Sequence, residues 1–278
     1  MASIGRRSIL TAAAAAVVGV PLLTTVASRG NASGVADDRY GSNTELYRKL
    51  ADREGSDWAR RSRQPSGSVR TTLLAPHGGG IEAGTSELCL GIAGCRPELP
   101  SRPLFSGAAY GYWMFEGLRS SGNSVLHVTS AHCDDPVALS LVRNGDFAVS
   151  LHGCRADQLT DAPVDPAGSK NRAVVVGGRD AQLRSAVKQA IRGSFTSAQI
   201  TVLDGEDVPG LDGGDPANIV NRTATGRGVQ LEMTAELRDA MFGDASSAAK
   251  RRETYDASGA WFREFCTAVR SAIGGHEN

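Results

Sequence analysis

Three ionisable side chains stand at the ends of apolar runs that are typical of short β-strands. His77 follows the first run, His152 follows the second, and Glu232 closes the third. The runs occupy residues 73–76, 148–151 and 228–231. In open α/β sheets, ligands bind at the carboxyl ends of the strands. We therefore expect the three side chains to converge on one edge of a sheet.

The segment after His77 adds another candidate metal ligand. Three glycines, at positions 78–80, allow the chain to turn so that Glu82 faces the same ion as His77. Two imidazoles and one carboxylate form the protein ligands of a catalytic zinc, and the fourth position is left for water. We predict one zinc ion on His77, Glu82 and His152, with Glu232 as the general base. The alternatives are structural hydrogen-bonding histidines, a solvated Glu82, and a plain glycine turn or anion-binding loop.

The other three histidines are weaker candidates. His127 lies inside a predicted strand at 124–129, and we interpret it as a core residue or a support for the ligands. His132 has polar neighbours and is a candidate for binding metal or substrate. His276 lies in the C-terminal tail, where we expect it to have no partner.

Apolar segments alternate with helical patterns from residue 69 onward. This order predicts a single α/β domain with a doubly wound, mostly parallel or mixed sheet. We predict strands at 71–75, 110–115, 124–129, 146–151, 173–176, 199–203 and 228–233. We predict helices at 44–61, at 85–94 with Thr85 as N-cap, at 136–144, after the N-cap Asp180, around 237–241 and around 261–273. The polar loop 155–172 is long enough to be a lid or an insertion.

The first 32 residues have the three parts of an export signal. Arg6 and Arg7 precede an alanine-rich apolar run, and small residues follow it. The adjacent arginines favour the twin-arginine route, so we expect a secreted or extracytoplasmic protein. An uncleaved membrane anchor is the alternative, but the run is shorter than the ~20 strongly apolar residues that a span prefers. We interpret residues 33–43 as a linker and 44–278 as the folded domain.

Charge and cysteine content restrict the partners and the compartment. The chain has 30 basic and 30 acidic residues, and the three arginines of the signal leave the mature part at −3. Nucleic acid is therefore not an expected partner, and the cations for an anionic substrate must be local. Outside the cytoplasm, the five cysteines favour structural disulfides over a metal site, with at least one thiol unpaired.

Five short motifs occur in order over about residues 45–240: HGGGIE and GTSE from His77, LHVTS from Leu126, SLHG from Ser150, NIVNR from Asn218 and GVQLE from Gly228. They resemble the motifs of the poly-γ-glutamate hydrolases, zinc enzymes of phages and bacteria with a carboxypeptidase-like fold. The resemblance implies zinc on His77, Glu82 and His152, and it implies that Glu232 is the general base. It also implies that Arg222, beside Asn221, binds a substrate carboxylate.

The chain departs from the family pattern in three places. Cys133 and Cys154 lie close to the site motifs, the loop 155–172 is long, and a C-terminal helix follows Ala245. These departures affect substrate access and chain-length preference, and they leave the zinc chemistry intact. A disulfide between Cys133 and Cys154 that braces the site is a testable expectation.

Together these features predict an exported zinc-dependent hydrolase of γ-glutamyl amide bonds in poly-γ-glutamate. We expect Arg222, with Asn221 beside it and Arg227 as a second cation, to bind a free α-carboxylate. One alternative is a zinc amidase or peptidase that acts on another γ-glutamyl or cell-wall peptide. Another is a secreted binding module without turnover, which the intact set of ionisable residues disfavours. We expect a monomer with no membrane association after signal cleavage.

Overall fold

A seven-stranded mixed β-sheet forms the centre of the protein. The computed structural model describes residues 38–65, 67, 69–96, 103–159, 162–164, 166–256 and 261–278. The strands are β1 (Trp58–Arg63), β2 (Thr71–Gly79), β3 (Gly111–Gly117), β4 (Phe147–Cys154), β5 (Ala173–Gly178), β6 (Thr201–Asp204) and β7 (Val229–Thr234). Their order across the sheet is β1-β3-β2-β4-β7-β5-β6. The predicted α/β class with a single mixed sheet is confirmed.

The four central strands run in one direction. Strand β2 pairs in parallel with β3 and β4, and β4 pairs in parallel with β7. The outer strands run against them, because β1 is antiparallel to β3 and β5 is antiparallel to β7, with β6 parallel to β5. The carboxyl ends of β2, β4 and β7 therefore lie at one edge of the sheet, and these are the strands that carry His77, His152 and Glu232.

Helices cover both faces of the sheet. The described residues contain α1 (Asn43–Lys49), α2 (Thr85–Ala93), α3 (Pro136–Asn144), α4 (Ala181–Ser194), α5 (Ala235–Ala240), α6 (Ala248–Glu253) and α7 (Trp261–Glu277). Helices α2, α4 and α7 pack on one face, where Leu73, Val149, Val174 and Leu231 point into the largest apolar cluster. None of the helices in these described ranges has the length and apolar character needed to cross a bilayer.

The opposite face holds two separate apolar clusters with a polar strip between them. One cluster packs Leu74, Trp113 and Ala148 against α3 and the first helix. The other contains Val175 and Leu203 of the antiparallel side of the sheet. Successive residues of a strand point to opposite faces. The alternate positions of β4 and β7 that face this gap are Ser150, His152, Gln230 and Glu232.

The predicted helix at 44–61 is wrong beyond its first two turns. Helix α1 ends at Lys49, and Trp58 begins β1 at the edge of the sheet. The charged residues that looked like a helix surface alternate with half-buried ones along β1. Charged side chains are tolerated on an edge strand, where they also discourage pairing with other chains.

The predicted strand at 124–129 is also wrong. Residues Asn123–Leu126 form a 3-10 turn, and Leu126 and Val128 pack into the cluster beside α3. Both edges of β2 are already occupied by β3 and β4, so this segment packs against the face of the sheet instead of pairing with β2. Two smaller predictions also change: Gly84 rather than Thr85 is the N-cap of α2, and the loop 155–172 contains short 3-10 turns at Ala156–Leu159 and Lys170–Arg172.

The predicted linker packs onto the domain where the structure describes it. The predicted export signal at 1–32 and residues 33–37 lie outside the described residues. Tyr40 is buried in the cluster beside α3, and Asp38 contacts His127. The described residues 38–43 are therefore part of the folded domain.

The expected disulfides are absent, since all five cysteines are free and buried. Cys133 lies in the cluster beside α3, whereas Cys154 lies in the cluster of the antiparallel strands. The polar strip separates these two clusters, so the predicted Cys133–Cys154 bridge is not formed. Cys89, Cys95 and Cys266 belong to the large cluster on the other face.

Candidate metal centre

The chain reverses sharply after His77. Gly79 has a positive φ of 64°, and a Cβ atom there would lie 2.9 Å from the backbone nitrogen of Gly117. Only glycine combines this conformation with this close approach. The Glu82 N–H donates to the His77 carbonyl at 2.8 Å, which closes the turn. The glycine segment thus brings the Glu82 carboxylate back to the imidazole that precedes it.

The remaining two residues are presented by neighbouring parallel strands. His152 of β4 is the register partner of Glu232 of β7, and Ser150 is the partner of Gln230. All four side chains point to the same face, into the polar strip. The Gln230 Nε2–H donates to Glu232 Oε1 at 2.9 Å, which orients the carboxylate at the end of its strand.

His77, Glu82 and His152 form a compact group. The Nδ1 atom of His77 lies 3.0 Å from Glu82 Oε1 and 3.1 Å from His152 Nδ1. The His152 Nδ1 atom lies 3.8 Å from Glu82 Oε2. One ligand atom from each residue lies within 4.8 Å of the others.

The opposite ring nitrogens determine what these atoms can do. His77 Nε2 lies 2.8 Å from the Val128 carbonyl oxygen, which only accepts, so the proton of the neutral ring is on Nε2 and Nδ1 carries a lone pair. His152 Nε2 lies 2.8 Å from Ser150 Oγ and can donate to that hydroxyl in the same way. Two imidazole lone pairs and a carboxylate oxygen then face one another. Such a group requires a proton or a cation between its members.

This donor set fits a zinc ion. Two histidine nitrogens and one carboxylate oxygen match the composition of catalytic zinc sites, which keep a further position open. Metal-binding histidines usually donate their other ring N–H to a carbonyl or hydroxyl, as Val128 and Ser150 allow here. The second oxygen of Glu82 accepts from the Gly153 N–H at 2.8 Å, so the carboxylate is also held in place.

The pKa shifts of the group favour one positive charge, on His77 beside the Glu82 carboxylate, and disfavour a second one on His152. Burial and the neighbouring His77 lower the pKa of His152 to about 3. Burial opposes a charge on Glu82, but the histidines around it outweigh burial and lower its pKa to about 2. Burial likewise opposes a charge on His77, yet the Glu82 carboxylate raises its pKa. A metal ion and the proton on His77 therefore compete for the same position.

The pKa of Glu232 is shifted in the opposite direction from that of Glu82. Burial is the largest cause that raises its pKa well above the usual range, and the charge on Glu82 adds to it. A glutamate in this environment holds a proton more readily than one in water. That property is required of a group that accepts and later returns a proton.

His127 and Asp38 belong to the site. The sequence predicts His127 as a core residue or a support for the ligands, and it does not predict Asp38. The His127 ring stacks on the His77 ring at a centroid distance of 3.8 Å. Its Nδ1 atom lies 2.6 Å from Asp38 Oδ1, and the other Asp38 oxygen accepts from the Thr129 N–H at 2.5 Å. No local signal marks Asp38, since it joins the site only through the tertiary fold.

Two cavities border the group. The smaller, of about 50 Å³, is lined by the three candidate ligands together with Glu232. The larger, of about 440 Å³, lies beside it and shares Glu82, His127 and Gly153 with it. A small polar chamber at the ligands thus adjoins a space large enough for part of a substrate.

The three residues predicted to bind substrate line neither cavity. The Asn221 amide donates to the carbonyl oxygens of Gly213 and Asp215, and Arg222 donates to the Cys133 carbonyl at 3.2 Å. Arg227 lines a separate cavity with Arg179 and Arg184. Instead, the NIVNR motif contributes Asn218, which lines the small chamber and donates to Gln230 Oε1 at 2.8 Å. The substrate-binding role of Asn221, Arg222 and Arg227 stays a prediction.

The last two histidines lie away from the ligands. His132 ends a 3-10 turn at Ser130–His132. His276 was expected to have no partner, but its Nε2 atom lies 3.2 Å from Asp180 Oδ2, and its ring packs edge-on against Phe147. The C-terminal helix therefore docks onto the sheet through a residue that the sequence suggested was unpaired.

Several known proteins are similar to this chain. Residues 40–268 match the family model described as poly-gamma-glutamate hydrolase. UPF0714 protein YndL of Bacillus subtilis (strain 168) is 32% identical over 210 residues, which cover 75% of this chain and 68% of YndL. The SPbeta prophage-derived UPF0714 protein YoqZ of the same strain is 34% identical over 173 residues, or 62% of this chain. The match covers only 52% of YoqZ, so the chain spans about half the length of that relative.

Two solved structures are similar over nearly their whole length. A bacteriophage poly-gamma-glutamate hydrolase has a TM-score of 0.67 and 29% identity, with 86% of this chain and 98% of that chain covered. The zinc-free apo form of YndL has a TM-score of 0.65 and 29% identity, with 86% and 99% covered. The family match contains the turn after His77 and the ends of β4 and β7. On this evidence the chain belongs to the poly-γ-glutamate hydrolase family.

Proposed function

We propose that this protein is an exported zinc-dependent hydrolase that cleaves γ-glutamyl amide bonds of poly-γ-glutamate. One observation carries the proposal. His77 Nδ1, a Glu82 carboxylate oxygen and His152 Nδ1 lie close together at the carboxyl edge of the sheet, with their lone pairs facing one another. Family membership supports the polymer as the substrate class. The similarity to a bacteriophage poly-gamma-glutamate hydrolase supports it further.

His77, Glu82 and His152 would hold one zinc ion. When bound, zinc supplies Lewis-acid polarisation of the scissile amide carbonyl. The chain supplies the rest of the electrostatic preorganisation. Val128 and Ser150 hold the two rings in the tautomer that presents Nδ1 to the centre, and Gly153 holds the far oxygen of Glu82. The ligands are thus fixed before substrate binds.

Glu232 is the proposed general base and then the general acid. It accepts a proton from the attacking water as the water oxygen bonds to the carbonyl carbon. It returns that proton to the leaving nitrogen as the C–N bond breaks, so that a carboxylic acid and an amine are formed. Its raised pKa supports this double role, because a carboxylate with a raised pKa is a stronger base toward the attacking water than one in water.

Asp38 is the proposed positioning residue for His127. Its two oxygens accept from the His127 ring and from the Thr129 N–H, which fixes the loop that also carries the Val128 carbonyl. The stacked His127 ring in turn fills the space over His77 and excludes water from that side. We infer that Asp38 helps to maintain the ligand geometry without touching the reacting atoms.

Incubation of the purified mature protein with poly-γ-glutamate, followed by sizing of the products, tests the proposal. Shorter chains should appear without chelator, disappear with it, and return when zinc is added back. Equal cleavage in the presence of chelator would remove the zinc dependence. Cleavage of another γ-glutamyl or cell-wall peptide, with the polymer left intact, would favour the alternative zinc amidase or peptidase.

Export is a separate proposal that rests on residues 1–32. N-terminal sequencing of protein recovered outside the cell should find a start near residue 33. Replacing Arg6 and Arg7 together by lysines keeps the charge but changes the arginine pair, and it should retain the precursor inside the cell. Unchanged secretion of this variant would contradict the twin-arginine route.

A further inference from the structure

Arg238 carries a positive charge in the wall of the site without an ionic partner. Its side chain belongs to α5 and is 8% exposed. The Nε–H donates to the Met233 carbonyl at 3.2 Å, and one Nη1–H donates to the Ala83 carbonyl at 2.5 Å. No carboxylate in the described part of the chain forms an ion pair with this guanidinium. Two neutral carbonyls therefore satisfy part of its hydrogen-bonding capacity, and Glu232 interacts with its charge only through space.

Such an arrangement is costly unless an anion completes it. Buried arginines are normally paired with a carboxylate, because removal of the charge from water is unfavourable. The buried ion pair between Arg251 and Glu87, at 3.0 Å, shows the usual solution within this protein. Arg238 differs in that its remaining guanidinium edge faces the 440 Å³ cavity, which it lines.

The neighbouring glycine keeps the guanidinium next to the candidate ligands. A Cβ atom at Gly153 would lie 2.7 Å from the Arg238 Cζ atom, so a larger residue would displace the side chain. The N–H of the same glycine donates to Glu82 Oε2. One backbone position therefore contacts both a candidate metal ligand and the unpaired cation.

The remaining lining of the cavity suits a charged chain with a short aliphatic part. Ile81 and Val125 supply apolar surface, and Arg39 and Arg155 stand at the same cavity. Arg155 is paired with Asp157 at 2.9 Å, and Asp38 and Glu82 also line the cavity, so Arg238 and Arg39 are its local cations for a substrate carboxylate. Arginine also binds carboxylates through two parallel hydrogen bonds, which fixes their orientation.

We propose that Arg238 binds the α-carboxylate nearest to the scissile bond of the polymer. This inference rests on the proposed function. In a γ-linked chain, the leaving nitrogen is attached directly to an α-carbon that bears a free carboxylate. In the acyl residue, three carbons separate the scissile carbonyl from the free carboxylate. The cation beside Glu82 therefore meets the carboxylate of the leaving residue, and the enzyme selects γ-glutamyl bonds that carry it.

Two short substrates test this role. One is a γ-linked glutamate oligomer with free α-carboxylates, and the other is the same oligomer with α-carboxamides. Loss of a charge-assisted bidentate contact should lower kcat/KM of the wild type for the carboxamide oligomer by about 100-fold. Arg238→Met should lower kcat/KM for the carboxylate oligomer by a similar factor and leave the carboxamide oligomer within about 3-fold of the wild type.

Arg263→Met is the matched control. Arg263 also donates to two backbone carbonyls, those of Tyr255 and Leu104, but it lies on α7 away from both cavities. This variant should keep the wild-type preference between the two oligomers. A purely structural role of Arg238 would lower both rates equally, which would overturn the inference.

The comparison of wild-type kcat/KM for the carboxylate and carboxamide oligomers remains a valid test even if Arg238→Met does not fold. Equal kcat/KM of the wild type for the two oligomers would overturn the role of Arg238 while the proposed hydrolase function remained. If the wild type cleaves neither the oligomers nor the polymer, the proposed function itself fails. Arg238→Lys provides a second variant, which keeps the charge but not the bidentate geometry and should recover only part of the preference.

Discussion

Replacement of Glu232 by glutamine should abolish turnover while it increases the stability of the metal-free protein. Glutamine has the same shape, and the Gln230 Nε2–H that now donates to Glu232 Oε1 at 2.9 Å can donate to the new amide oxygen. The amide cannot accept the proton of the attacking water. Because general acid–base catalysis contributes about 10²–10⁴-fold, kcat should fall by that factor. Zinc content should be unchanged, since Glu232 is not a proposed ligand.

The stability effect follows from the raised pKa of Glu232. A carboxyl group whose pKa is higher in the folded than in the unfolded protein binds more protons when folded, so stability is lost as pH rises above the unfolded value of about 4.3. Each unit of difference corresponds to about 1.4 kcal/mol. The glutamine variant lacks this loss. In chelator, its Tm should therefore equal that of the wild type near pH 4 and exceed it increasingly toward neutral pH.

Three measurements together decide this prediction. Steady-state kinetics with poly-γ-glutamate give kcat, metal analysis gives the zinc content, and thermal unfolding in chelator from about pH 4 to 8 gives the stability difference, which follows from the linkage relation. A variant that keeps more than about a tenth of the wild-type kcat would refute the general-base role. A Tm difference that is independent of pH would refute the reasoning about burial of the carboxylate.

Other side chains provide predictions of different kinds. His152→Ala should lose the bound zinc while His276→Ala keeps it, as measured by metal analysis, and an unchanged metal content in the first would remove His152 from the ligand set. Arg251→Met should destabilise the protein by about 3–5 kcal/mol in urea unfolding, because it leaves the Glu87 carboxylate buried without its cation. The double variant that also replaces Glu87 by methionine should recover much of that loss, and a failure to recover would contradict the electrostatic explanation. Asp38→Asn should lower kcat/KM by about 10-fold or more and lower the free energy of unfolding by about 1.5–3 kcal/mol, the value of a hydrogen bond to a charged group. Asp134→Asn, which releases the Thr44 end of the same N-terminal segment, should not alter kcat/KM.

The positions of the candidate ligands could be predicted because each is encoded locally. A strand that ends in a histidine, and a run of glycines before a glutamate, both specify geometry within a few residues. His77 and Glu82 meet through one turn of the chain, and His152 joins them because β2 and β4 are parallel neighbours. The parallel sheet, which the alternation of strands and helices indicated, was sufficient to bring them to one edge.

The parts that were missed depend on contacts between distant segments. The direction of β5 against β7 is set by packing and not by any local signal. Asp38 reaches His127 across 89 residues of sequence, and the segment that carries it looked like a polar linker. Arg238 is an ordinary helical arginine in the sequence, and its proposed role depends on the cavity that it lines and on the lack of an ion pair, which only the fold determines. A single sequence does not show which charged residues pair with partners that are distant in the chain.

The free cysteines affect where the protein can acquire its structure. All five thiols are buried, and burial raises the pKa of each, which keeps them protonated and unreactive. The fold contains no cross-link that an oxidising compartment would have to supply. The domain can therefore reach its native state under reducing conditions, and its maturation does not depend on a thiol oxidase. Assembly of the candidate metal ligands therefore requires no oxidising compartment.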